Sequence, residues 1–160
     1  MTGLNELESM LDASIRQVME EIFATMVFME ISGQETSFGR RGVLTGDLSS
    51  MVGLAGDLKG VLTVSCPAAV ATAVSSAMLG MELTELDEDV RDAMGEITNM
   101  VAGGLKSSLA AEGTMVNIAV PTTIIGRGMR TSGLPGAQRL TVPFTIGAGT
   151  FGVELQYVAR

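Results

Sequence analysis

Histidine and tryptophan are absent from this 160-residue chain, and cysteine occurs once, at Cys66. Without histidine there is no imidazole to act as a base or a zinc ligand, and a single thiol allows no intramolecular disulfide. Chemistry must therefore come from carboxylates, amides, hydroxyls or a metal carried by another molecule. Positive charge is scarce too: 10 Lys and Arg stand against 18 Asp and Glu, a formal net charge of -8. The acids are densest between Glu82 and Asp92, and no basic face is left to neutralise nucleic-acid phosphates or anionic lipid. Nucleic acid and membrane surfaces are poor partners for such a chain.

What is present is a hydrophobic content of 46%, enough for one core in a chain too short for two ordinary domains. A single domain over residues 1–160 is expected. The opening MTGLNELESM lacks the basic and then apolar pattern of a secretory signal, which favours a cytoplasmic protein. The uncharged run GVLTVSCPAAVATAVSSAMLGM, residues 60–81, reaches membrane-spanning length. Its β-branched start, Pro67 and Ala/Ser-rich remainder read better as a buried strand feeding a small-residue helix.

Along the chain, Leu4, Leu7, Leu11, Ile15, Val18, Ile22 and Met26 recur at steps of three and four, predicting one long amphipathic helix from Leu4 to Val27, stopped by Gly33. The glycine-punctuated segment from Phe38 to Ser65 predicts two or three antiparallel strands with a hairpin turn at Gly56–Gly60. A helix from Pro67 to Leu79 should end at Gly80. Thr84 followed by Asp87 suggests a capping box opening a third helix to about Ala111, whose apolar face is Val90, Met94, Ile97, Val101, Leu105 and Leu109. Met115 to Ile125 reads as a strand interrupted by Pro121, and residues 126–138 as a loop. Leu140 to Ile146 and Phe151 to Val158 form a closing hairpin, with Pro143 implying an edge or a bulge. The fold class is α+β: an antiparallel sheet with the two long helices packed on one face and a shorter third helix.

Several motifs have plain structural readings. GAGTFG at Gly147–Gly152 matches a dinucleotide fingerprint, but a strand follows it where a helix is required, so it reads as a turn. Cys66 at a strand end is a small buried hydrophobe, and the twelve methionines are mostly core. Arg127, Arg130 and Arg139 surround a loop that could meet an acidic partner or simply be solvated.

The informative segment is Asp92–Lys106. Positions 92, 96, 99, 103 and 106 advance by four, three, four and three, so Asp92, Glu96, Asn99, Gly103 and Lys106 form a helical stripe separate from the apolar face. Gly103 and Gly104 each cost about 1 kcal/mol relative to Ala inside a helix, which suggests a close approach to that backbone, such as a docking partner.

The run LGMELTELDEDVRDAMGEITNMVAGGLKSSL resembles the CheX branch of the CheC/CheX/FliY chemotaxis phosphatases in helix order, acidic opening and its E-x-x-N-M-x-x-G core. The likeness extends to IFATMVFME, to GVLTVSCPAAVATAVSSAML and to the closing strand pair. CheC-like members carry a second acid and asparagine pair in the first helix; this chain has Gln17, Glu20 and Glu21 there, so it resembles a one-site, CheX-type member. The resemblance implies a phosphatase acting on a phosphorylated CheY-like response regulator, with Asn99 holding the attacking water and Glu96 pairing with the regulator's lysine. Asp92, Gly103 and Lys106 are the expected partner-contact positions. It further implies a homodimer, no bound cofactor and Mg2+ carried by the regulator. The alternative of another class is a non-catalytic module that docks a response regulator or a flagellar switch component.

Overall fold

The computed structural model describes residues 6–39, 46–129 and 134–159. The chain opens with α1 (Glu6–Ile22), continues through a wider π-helical turn (Phe23–Val27), and then forms two short strands, β1 (Ser32–Gly33) and β2 (Ser37–Phe38). The long strands β3 (Gly46–Gly56) and β4 (Leu58–Cys66) lead into α2 (Ala68–Leu79) and α3 (Glu88–Ala111). Four strands close it: β5 (Val116–Ile118), β6 (Thr122–Met129), β7 (Gln138–Ile146) and β8 (Gly149–Ala159).

All described strand pairs are antiparallel, in the order β1-β7-β8-β4-β3-β5, with β2 also on β7 and β6 also on β3. Each margin of the sheet is thus two strands laid end to end along a third, β1 and β2 along β7 and β5 and β6 along β3. Along β4 and β8, Leu62 faces Leu155 and Val64 faces Val153. These pairs are fully buried and join one continuous core with Ile15, Met19, Met94, Ile97, Val101 and Leu105 from the helices. The expected α+β architecture is the one observed. No described helix is long and apolar enough to cross a membrane; residues 60–81 are the end of β4 and α2, as expected.

Several local expectations are corrected by the structure. Leu4 lies outside the described residues. The first helix does not keep its period through Met26: in the π-helical turn the Phe28 N–H reaches the Phe23 carbonyl at 2.7 Å, one residue further than an α-helical bond spans. The extra residue shifts the apolar face by one position, so Val27 is 1% exposed and Met26 is 41% exposed. The helix ends at Phe28, whose left-handed backbone (φ 60) breaks it before Gly33 is reached. The α3 cap is Asp87, which accepts from the Val90 N–H at 3.1 Å, so Thr84 does not open the helix.

The turn between β3 and β4 is tighter than Gly56–Gly60, because only Asp57 separates the strands and Lys59 and Gly60 are paired within β4. Gly56 there has φ +124, open to glycine alone. Pro121 does divide the Met115–Ile125 segment, but both pieces pair with β3, and β6 runs on to Met129 into what reads as loop. Pro143 sits on β7 level with the gap between β1 and β2, where its carbonyl accepts from Gln34 at 2.8 Å. Gly147 and Ala148 turn β7 into β8, so the glycine run is a hairpin.

Candidate functional site

α3 is a 24-residue helix with three environments around its circumference. Val90, Met94, Ile97, Val101, Leu105 and Leu109 are buried toward the sheet. A second side packs against α1. The Ser14 hydroxyl donates to Ser108 at 2.7 Å, and a Cβ on Gly104 would lie 2.3 Å from Val18 Cγ2. Gly104 is therefore glycine because α1 and α3 approach closely, not because a docking partner needs its backbone. Gly103 has open space where its Cβ would be.

The third side is the polar stripe. Asp92, Glu96 and Lys106 are exposed, whereas Asn99 and Gly103 are half-buried. Thus all five predicted site residues do share one open face, with Asn99 sunk deeper than Glu96. At i and i+3 the Glu96 and Asn99 Cβ atoms are about 5–6 Å apart, close enough for both to enter one small pocket. Among the described residues neither side chain has a hydrogen-bond or ion-pair partner, so both are free to meet a ligand.

The tertiary structure adds residues that the stripe alone does not reveal. Arg91, Asp92, Gly95 and Glu96 of α3 face Pro121 and Thr123 of the sheet margin across a depression of about 390 Å3. Thr123 also bonds to the fully buried Ser50 on β3 at 3.1 Å, which fixes the floor of the depression to the sheet. Nothing in the sequence marks Pro121 or Thr123 as neighbours of Glu96, because their meeting depends on β6 pairing with β3 beneath α3.

Other candidates are structural. Burial pushes the Cys66 thiol up to about 12, leaving it protonated and unreactive near neutral pH. Arg139 pairs at 3.7 Å with the buried Glu154, which also accepts from Gln156 at 2.9 Å; Arg130 and the side chain of Arg127 lie outside the described residues. Among the described residues no group of three or more His, Cys, Asp or Glu is placed to hold a metal.

Comparison with known proteins follows the same outline. The protein named CheY-P phosphatase CheX from Thermotoga maritima is 39% identical over 84 residues, a match spanning 52% of this chain and 54% of that protein. The chain thus matches about half the length of that curated relative. The crystal structure of a chemotaxis protein CheX from Desulfovibrio desulfuricans superposes with a TM-score of 0.85 at 28% identity, covering 92% of this chain and 99% of that one. CheX in the CheX-CheY-BeF3-Mg+2 complex from Borrelia burgdorferi gives 0.80 at 23% identity over 92% of this chain and 97% of its own, a likeness of fold. The family model described as chemotaxis phosphatase CheX matches residues 48–145, a span that contains all of α3 and more than half of the chain, and the chain accordingly belongs to the CheX chemotaxis phosphatase family.

Proposed function

We propose that this protein hydrolyses the aspartyl phosphate of a CheY-like response regulator, with Glu96 and Asn99 as its catalytic pair. The observation that carries the reading is their juxtaposition: a carboxylate and a carboxamide one turn apart on the open face of α3, each without an intramolecular partner among the described residues. The Thermotoga relative is named as a phosphatase of CheY-P, and the Borrelia CheX is held in a complex with CheY, BeF3 and Mg2+.

In the regulator, the phosphoryl group is bonded to an aspartate beside Mg2+ and a lysine, so hydrolysis mainly lacks a water held in line with the scissile bond. The Asn99 carboxamide holds that water. The water oxygen bonds to phosphorus as the bond to the aspartyl oxygen breaks, leaving a carboxylate on the regulator and inorganic phosphate. Glu96 pairs with the regulator's lysine and sets the docking register. Asp92, Gly103 and Lys106 extend the contact along the stripe. No resident cofactor is required, since the metal arrives with the substrate.

The protein acts in the cytoplasm as a homodimer. Dimerisation joins two sheets at a margin, where β6 has β3 as its one strand partner among the described residues. The direct test is the decay of a phosphorylated CheY-like regulator with and without the purified chain: acceleration at substoichiometric protein is expected, and unchanged decay would overturn the proposal. Light scattering at micromolar concentration tests the dimer, which a monomer-only mass would refute.

A further inference from the structure

Arg91 is out of place electrostatically. It lies in the opening turns of α3, two residues after the acidic run Asp87, Glu88 and Asp89, at the helix end whose macrodipole favours anions. The acids around it do not hold it. Asp87, four residues before it, uses its carboxylate to cap the Val90 N–H, and Arg91 has no ion pair or side-chain hydrogen bond among the described residues. Instead, its side chain lines the depression shared by Asp92, Glu96, Pro121 and Thr123. In a chain with only 10 Lys and Arg, one such cation lines the depression beside Glu96.

We infer that Arg91 is a specificity-determining contact that takes a carboxylate on the response regulator's surface, beside its phosphoryl pocket. This rests on the proposed function above and names the chemistry of one further contact. The phosphoryl group itself is not its ligand. Arg91 and Asn99 are eight residues apart, roughly 12 Å along the helix axis, and helical side chains lean toward the N-terminus, which carries the guanidinium away from Asn99. A carboxylate meeting it there would complement the Glu96–lysine pair five residues onward, roughly 8 Å along the axis. Opposite charges would then alternate along the contact and disfavour a regulator shifted by one turn.

The test uses the full chain and a purified CheY-like regulator with Mg2+, either loaded with beryllofluoride or unloaded. Arg91→Gln is expected to weaken binding about threefold and Arg91→Glu about tenfold, the scale of a partly screened pair and then of its reversal. The same factors should appear with loaded and unloaded regulator, salt should narrow them, and kcat at saturating phospho-regulator should stay at the wild-type value. Wild-type affinity in both variants, or a loss confined to the loaded regulator, would overturn the inference. Because the side chain is exposed, unpaired and at the helix end that favours anions, thermal melts should stay level or rise slightly; a destabilised variant would contradict that premise. If the wild-type chain neither binds the regulator nor speeds its decay, the proposed function itself fails. A wild-type chain that does both, alongside an Arg91→Glu variant that binds equally well, removes only the role of Arg91.

Discussion

Gly103 and Gly104 are adjacent on one helix and mean opposite things. Gly104 faces α1, where an added methyl would strike Val18; Gly103 faces open space on the stripe that carries Glu96 and Asn99. One side of α3 is closed by packing and owes its residue choices to the fold. The other is open, so its residue choices are not explained by anything the chain itself touches. The same contrast separates Ser108, bonded to Ser14 across the helix pair, from Asn99, which has no partner among the described residues.

The sharpest way to break this contrast is Asn99→Ala. The open face should tolerate it, with stability changing by no more than about 0.5 kcal/mol, while the dephosphorylation rate falls roughly 10²–10³-fold through loss of one preorganised group. Phospho-regulator decay measured beside a urea melt separates the two effects. A wild-type rate would remove Asn99 from the chemistry.

Gly104→Ala probes the closed side. Overpacking against Val18 should cost about 1–3 kcal/mol, of which the better helix propensity of Ala returns up to about 1 kcal/mol. Urea unfolding should show the loss, and Val18→Ala in the same chain should recover most of it. Unaltered stability of Gly104→Ala would mean that the helix seam has room to spare.

The buried core also holds Cys66, at the end of β4, whose thiol ionises near 9 when unfolded and near 12 when folded. With the folded value raised, stability should be level below pH 9 and decline between 9 and 12 as the unfolded chain releases the proton first. At pH 10 the loss should be about 1 kcal/mol, from the worth of one pH unit. Tyr157, raised by burial and then by the negative Glu8, drives the decline the same way at higher pH. Denaturant midpoints at pH 7 and 10 for the wild type and Cys66→Ala check this; identical pH dependence in both would discard the thiol's part.

The smallest effect is expected at Gly103→Ala. With no neighbour to strike, the substitution should stabilise the helix by about 0.5–1 kcal/mol. If a docked regulator comes close to this backbone, its affinity should fall even as stability rises. Gain in both would take Gly103 off the contact surface.

The legible parts of the molecule are those governed by local period and local exclusion. The apolar spacing of α3 was readable from Val90 to Leu109 because a helix repeats its face with every turn, and the strand alternation from Leu140 to Tyr157 was readable for the same reason. The polar stripe emerged from that arithmetic too. Thr84 misled because two residues near a helix start could each act as the cap, and only the backbone path shows that Asp87 does. Met26 misled because a π-helical turn inserts a residue into the period, and the energetic reason for it, the burial of Val27, exists only once the core has assembled.

From its sequence alone the chain could be assigned its fold class, its reliance on carboxylate and amide chemistry, and the stripe on which Glu96 and Asn99 stand. Composition and helical period are properties of the chain itself. Tertiary structure alone decided that Gly104 serves the α1–α3 seam, and that Pro121 and Thr123 of a distant strand lie across a depression from Glu96, with Arg91 on the same side. Those are juxtapositions of segments far apart in sequence, set by how β6 registers on β3 and how α3 crosses the sheet, and no local pattern encodes them.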